Sequence, residues 1–316
     1  MFTDLSMVVF TVLAQMSVGA FVVLGVVQLL ARVRGGRSAE DVDRLTDPAL
    51  YAVGVTLALG FIASAFHLGT PMNAVNVLRA LDTSWLSREI AFGLGFAVLG
   101  FAFAVLQYRK WGSPQLRQAV AALTALLGIG LVASMSMIYA SLDAVPAWHT
   151  WATPVQFAIT TLLLGSLAVG SAFMLTLLWR EGRPEPEDAG DAATETVTAG
   201  DLAIVMTTLK GVVVAAIVLL GAAFVVIPLY LSTLGQGGAA ATESAAVFSG
   251  TMFVLRLALV FGGAGLLGVF VLRLSGTDAP RTQPLAIVAT MAFAFVLAGE
   301  FLGRSLFYES MIRVGM

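Results

Sequence analysis

The sequence predicts an all-α polytopic membrane protein with eight transmembrane helices. Three observations lead there. The 316 residues are 59% hydrophobic and only 11% charged, with mean hydropathy +0.93, whereas soluble domains carry about 25% charged residues. The apolar residues fall into eight runs, each near the roughly 20 residues that cross a bilayer. Backbone groups in lipid must be satisfied within their own segment, so each run is predicted as a helix. The 32 glycines suit close packing of such helices through small residues.

Taken in order, the predicted spans are 7–31, 49–66, 90–107, 119–139, 156–179, 211–231, 252–272 and 284–304. The opening MFTDLSMVVF lacks the positive region of a cleavable signal peptide, so the first run is expected to be a retained helix. The 32–48 connection, with SAEDVDRLTDP, is expected to hold a short surface helix capped by Ser38. Gly54 and Gly60 in the second span, and Gly262, Gly263, Gly265 and Gly268 in the seventh, are packing positions. The stretch 180–201 is acidic and rich in Pro, Ala and Thr. It is predicted as a flexible cytoplasmic loop joining a part with helices one to five (1–179) to a part with helices six to eight (202–316). No internal repeat is evident.

Lys and Arg set the orientation. Arg32, Arg34, Arg37, Arg44, Arg109, Lys110, Arg117, Arg180, Arg183, Arg273 and Arg281 all fall in one set of loops, and Lys210 snorkels to the same side. The other side holds only Arg79, Arg88, Arg304 and Arg313. The first set is expected to be cytoplasmic, with both termini outside and the protein in the inner membrane. A net charge of −2 offers no basic surface for nucleic acid. The absence of cysteine excludes disulfides, thiolate metal sites and Cys-bound clusters.

Ionisable residues within spans cost about 2.5–3.5 kcal/mol on insertion scales, and few occur. His67 closes the second span, Glu89 opens the third, Arg256 lies about one turn into the seventh, and Glu300 and Arg304 end the eighth. On the expected topology all five lie in the outer half of the bilayer. Glu300 and Arg304 are four apart and able to neutralise each other; Arg88 and Arg304 suit headgroup anchoring; His67 suits a helix cap. A functional reading stands beside these. His exchanges a proton near neutral pH, and a nearby carboxylate completes a relay. A quinone fits such a pocket: its ring is apolar, its two oxygens need hydrogen bonds, and quinol oxidation requires proton acceptors. A solute transporter would place polar groups near the midplane of broken helices, and spans three to five lack charges there.

Haem bound within spans calls for two axial histidines, and the sequence has only His67 and His149. His149 sits in DAVPAWHTWATP between Trp148 and Trp151, as expected of an interfacial loop. No haem and no metal site are expected in this protein, so electrons taken from a quinol must leave to a docked partner.

FIASAFHLGTPMNAVNVL (61–78), SWLSREIAFG (84–93), LDAVPAWHTWATP (142–154), FVLRLAL (253–259) and LAGEFLGRSLFY (297–308) resemble DmsC, the membrane anchor of DMSO reductase-type molybdoenzymes within the wider NrfD/PsrC-like anchors. The resemblance extends over nearly the whole sequence; HLG-x-P followed by LS-x-EI is its most specific part. It implies a quinol-oxidising anchor in a three-subunit anaerobic respiratory complex. In such a complex a DmsA-like catalytic subunit holds molybdenum bis(pyranopterin guanine dinucleotide), and a DmsB-like subunit holds four iron–sulfur clusters. By the same resemblance His67 and Glu89 take part in menaquinol oxidation. Gly69 and Pro71 of HLG-x-P, with Arg256, Glu300 and Arg304, are carried over as quinol-pocket residues. Quinol oxidised at the outer edge releases its protons outside, so an electroneutral step is expected. The alternatives are a proton- or solute-translocating protein and a structural anchor without its own quinone site.

Overall fold

A computed structural model describes residues 5–35, 39–65, 78–182, 199–274 and 282–315. Among these residues there is no strand. The helices are α1 (Leu5–Gly35), α2 (Ala39–Ala65), α3 (Trp85–Arg109), α4 (Pro114–Ala140), α5 (Ala152–Glu181), α6 (Ala199–Gly235), α7 (Ala239–Val247), α8 (Thr251–Leu274) and α9 (Thr282–Glu309). All but α7 are long and apolar enough to cross a membrane, giving eight candidate spans among the described residues. With eight crossings, α1 begins and α9 ends at the same face of the bundle, here called the terminal face.

The helix boundaries follow local chemistry. Ser84 caps α3, its side chain accepting from the Ser87 N–H at 3.3 Å. Ser113 caps α4 in the same way through Leu116 at 3.2 Å, with Pro114 at the first helical position, where no N–H is needed. The left-handed Lys110 (φ 53°) ends α3. At 37 residues and 1.5 Å per residue, α6 is about 55 Å long, well beyond the hydrocarbon thickness.

Two elements differ from the sequence reading. The short surface helix expected at 32–48 is instead the first turns of α2, which runs unbroken through Pro48; Ser38 lies outside the described residues. Charge pairing supports the continuation. Asp43 and Asp47 receive Lys110 Nζ at 3.1 and 3.0 Å, and Gln107 Nε2 donates to Asp47 Oδ1 at 2.9 Å. The polar turns of α2 are thereby pinned to the end of α3. The second difference is α7, which the sequence reading did not include. It is too short to cross lipid and is tied down by Ser244 Oγ donating to the Ser310 carbonyl at 3.0 Å. The connector core, 183–198, lies outside the described residues.

Helices α1 and α5 form the centre. They cross in backbone contact at Gly19 and Gly165. A Cβ on Gly19 would run into the Thr161 carbonyl group, whose carbon would be 2.8 Å away. Around this pair, α2 packs on α1, α4 on α3, and α6 and α9 on α5, while α8 lies along α9. Gly299 and Gly303 let α8 approach: a Cβ on Gly299 would stand 3.2 Å from the Arg256 carbonyl oxygen.

Candidate functional site

At the terminal face the ends of α1, α3, α4, α5, α8 and α9 bring polar side chains together under an aromatic cover. Of the residues singled out from the sequence, His67, Gly69 and Pro71 lie outside the described residues. The remaining four, Glu89, Arg256, Glu300 and Arg304, sit at this face, carried by α3, α8 and α9.

Arg304 is the centre of the group. It is only 6% exposed. Its Nη2 donates to Gln15 Oε1 of α1 at 2.6 Å, and Gln15 Nε2 in turn donates to the Phe157 carbonyl at 2.9 Å. The guanidinium carbon stands 3.8 Å over the Phe157 ring centroid, a cation–π contact that offsets part of its desolvation. Arg304 Nε is buried with no hydrogen-bond partner among the described residues. An orphaned N–H of this kind costs about 1–3 kcal/mol, so its position demands an acceptor.

Glu300, one turn earlier and 5% exposed, accepts from Thr160 Oγ1 at 2.7 Å. The sequence spacing allowed a Glu300–Arg304 ion pair; the structure instead hands each residue to a neutral partner on another helix. Arg256 lies against Gly303, where a Cβ would come within 2.8 Å of its Cζ, and it shares a cleft with Glu300, Thr160 and Gln156. Glu89, in the second turn of α3, is within electrostatic reach of Tyr139 and Tyr308. Among the described residues none of the four is in an ion pair.

The aromatic cover closes the group from above. Tyr139 and Tyr308 share a hydroxyl–hydroxyl hydrogen bond of 2.9 Å. Trp148 stacks on Phe307 at 5.3 Å and donates its indole N–H to the Phe307 carbonyl at 2.8 Å. The loop carrying Trp148 is stitched in place by Tyr230 Oη donating to the Ala147 carbonyl and by the Val314 N–H donating to the Ala144 carbonyl. Such rings exclude water, and electrostatic interactions strengthen in the low dielectric that results.

Two sequence candidates have other tasks. Arg88 closes the preceding turn, donating from Nε to the Leu81 carbonyl at 2.8 Å and from Nη2 to the Asp82 carbonyl at 2.7 Å, and it lies over Trp85. His149 is exposed, with Nδ1 2.7 Å from the Ala140 carbonyl and 3.3 Å from Asp143, as expected of a loop residue. Gln15, Thr160, Tyr139 and Tyr308 were not found from sequence. Gln15 alone had a visible signal, an amide within an otherwise apolar span.

Chemically, the group presents two guanidinium donors, two carboxylates and a pair of phenols near one end of the bundle, Glu300 and Arg304 buried and Glu89 and Arg256 half-buried. It suits an apolar ring bearing oxygens that accept hydrogen bonds and exchange protons. Among the described residues no group of three or more His, Asp or Glu side chains has the arrangement of a metal site.

Residues 1–186 match the family model described as DMSO reductase anchor subunit (DmsC). The protein is 31% identical over 311 residues to the C component of anaerobic dimethyl sulfoxide reductase of Escherichia coli, spanning 98% of this sequence and 96% of that one. It is 29% identical over 316 residues to the YnfH component of anaerobic dimethyl sulfoxide reductase of the same organism, spanning 98% and 95%. A shorter match, 38% over 140 residues, spans 40% of this sequence and 41% of the C component of sulfite dehydrogenase of Allochromatium vinosum. With this extent of likeness and eight membrane-length helices, the protein belongs to the DMSO reductase anchor subunit (DmsC) family.

Proposed function

We propose that this protein binds menaquinol at the terminal face, oxidises it, and passes the electrons to an iron–sulfur subunit of a molybdoenzyme. The observation that carries the reading is the cluster of Glu89, Arg256, Glu300 and Arg304 without ion pairs among the described residues. Charges are not held at membrane depth unpaired without a use for them, and the orphaned Nε of Arg304 calls for an acceptor.

Menaquinol supplies two electrons and two protons. Arg304 and Arg256 hold its oxygens by charge-assisted hydrogen bonds. Glu89 takes a proton, and His67, two residues beyond the end of α2 in sequence, is the second acceptor. Gly69 and Pro71 of the same HLG-x-P segment are assigned to the quinol pocket with His67. The aromatic cover keeps water from the ring. The electrons leave across the terminal face to a four-cluster iron–sulfur subunit, and from there to a molybdenum bis(pyranopterin guanine dinucleotide) subunit. The distribution of Lys and Arg supports a cytoplasmic-membrane protein with the terminal face extracytoplasmic. Protons then leave on the side where they are consumed, and the step moves no net charge. The match to a sulfite dehydrogenase component supports a second reading, in which the same pocket reduces quinone with electrons arriving from the partner.

The test is made in the purified complex. Glu89→Gln and His67→Ala should each lower quinol-dependent turnover by about 100-fold or more, the scale of a lost general base. Activity with a soluble artificial donor should stay intact. Equal loss of both activities would mean that these residues serve assembly, and full quinol turnover in both variants would leave the protein a structural anchor.

A further inference from the structure

We infer that the crevice between α6 and α8 is a gated passage through which the quinol head group reaches the pocket from the lipid; the inference rests on the quinol reading above. The crevice is continuous with the site. Its lining combines the polar Gln156, Thr160, Arg256 and Glu300 with apolar side chains of α6 and α8, among them Ala223, Ile227, Leu257 and Phe261. A lining that joins charged and polar groups to apolar side chains suits a molecule with an oxygenated head and an isoprenoid tail.

The crevice is too narrow for a quinol head group. The free space within it is about 20 Å³, room for about one water. Beside the crevice the ring of Phe224 meets that of the lining residue Phe261 edge to face, 6.4 Å between centroids, one from each helix. Phe224 is 70% exposed, so its place in that contact is held by one ring and by lipid, not by surrounding core. A head group passes only if α6 and α8 part.

Helix α6 carries the means for parting at that level. Pro228 lies inside it and has no N–H to give to the carbonyl four residues earlier. That carbonyl belongs to Phe224, the gate residue itself. The helix ladder is thus interrupted at the gate, where proline-bearing helices bend. Gly221, about one turn before Phe224, meets nothing within 4 Å of an added Cβ, so that side of α6 is free to move there.

A passage residue changes rates differently from a pocket residue. Narrowing the passage raises the barrier for arrival and departure alike and leaves equilibrium affinity unchanged; altering the pocket changes affinity. Ala223→Trp should fill the crevice and lower kcat/KM for a short-tailed naphthoquinol by about tenfold, the effect of raising a barrier by about 1.4 kcal/mol. Association and dissociation of the matching naphthoquinone, followed by stopped-flow protein fluorescence, should slow together with an unchanged Kd. Phe224→Ala, at a lipid-exposed position that the fold tolerates, should speed both severalfold. Artificial-donor activity should be unaffected in either variant. Unchanged association rates in both variants would overturn the passage, as would a changed Kd that comes from the dissociation rate alone. The Glu89→Gln variant separates the two readings. If it stops quinol turnover while Ala223→Trp does not slow binding, the quinol site stands and the passage lies elsewhere. If Glu89→Gln and His67→Ala both turn over normally, the quinol reading itself fails.

Discussion

Gly303→Ala tests whether the position of Arg256 matters, independently of folding. A Cβ at residue 303 would meet the Arg256 side chain, with Cζ 2.8 Å and Cδ 3.0 Å away. Ordinary carbon contacts lie at about 3.5–4.0 Å, so the guanidinium must retreat by roughly an ångström. The obstruction is the far end of a flexible side chain, and the backbone of α8 need not move. Ala also favours a helix interior over Gly by about 0.8–1 kcal/mol. The net change in stability is therefore expected within about 1 kcal/mol of zero. Function should respond more strongly. A hydrogen bond to a charged group contributes about 1.5–3 kcal/mol, and losing it from the bound quinol corresponds to a fall of about 10- to 150-fold in kcat/KM. The assay is quinol-dependent turnover of the complex beside its thermal unfolding midpoint, with Arg256→Gln as the direct comparison. Normal quinol turnover in both variants would refute the assignment of Arg256 to the pocket. A loss of turnover matched by a large loss of stability would refute the argument that the side chain yields cheaply.

Three further outcomes follow from the packing. Gly19→Ala should destabilise the protein by at least about 1–3 kcal/mol, as overpacking does, because both sides of the α1–α5 crossing are backbone; a thermal midpoint equal to the parent's would contradict the crossing. Thr160→Val keeps the shape but leaves Glu300 without its 2.7 Å hydrogen bond, and should cost about 1–3 kcal/mol and weaken quinol binding, read by titration. Lys110→Met removes the cation shared by Asp43 and Asp47; it should lower stability by about 1–3 kcal/mol while leaving quinol-dependent kcat/KM unchanged once the complex is assembled.

The fold was legible because lipid imposes one rule on every span. Eight apolar runs became eight helices, and the errors came where that rule does not reach. The first turns of α2 are charged, so hydropathy stopped at residue 49, yet the helix begins at Ala39 because Lys110 and Gln107 meet Asp43 and Asp47 from the far end of α3. The site was legible as charges. Glu89, Arg256, Glu300 and Arg304 stood out against apolar surroundings. Thr160, Tyr139 and Tyr308 did not, because they look like ordinary span and interface residues until the helices are brought together, and Gln15 showed only as an amide in an apolar span. The i, i+4 spacing of Glu300 and Arg304 pointed to a pair that the tertiary structure replaces with Thr160 and Gln15.

The two polar clusters at opposite ends of the bundle separate structural from functional use of the same side chains. At the face away from the termini, acid meets base directly: Lys110 bridges Asp43 and Asp47, and Arg117 Nη1 approaches Asp43 at 3.9 Å while donating to Gln107 Oε1. That arrangement satisfies charge locally and holds α2, α3 and α4 in register. At the terminal face, two guanidinium groups and two carboxylates lie on neighbouring helices, yet among the described residues each is given a neutral partner or none. Glu300 and Arg304 stand four residues apart on one helix, the spacing at which such pairs meet. The fold instead uses Thr160 and Gln15 to keep them apart. Charges separated in this way retain donors and acceptors for a visitor, and an ion-paired cluster would have none to offer. A Gln15→Leu change tests this directly. If the separation serves a ligand, freeing Arg304 to reach Glu300 should preserve or raise stability while lowering quinol affinity. A variant that loses stability and keeps its affinity would show that Gln15 serves the packing of α1 alone.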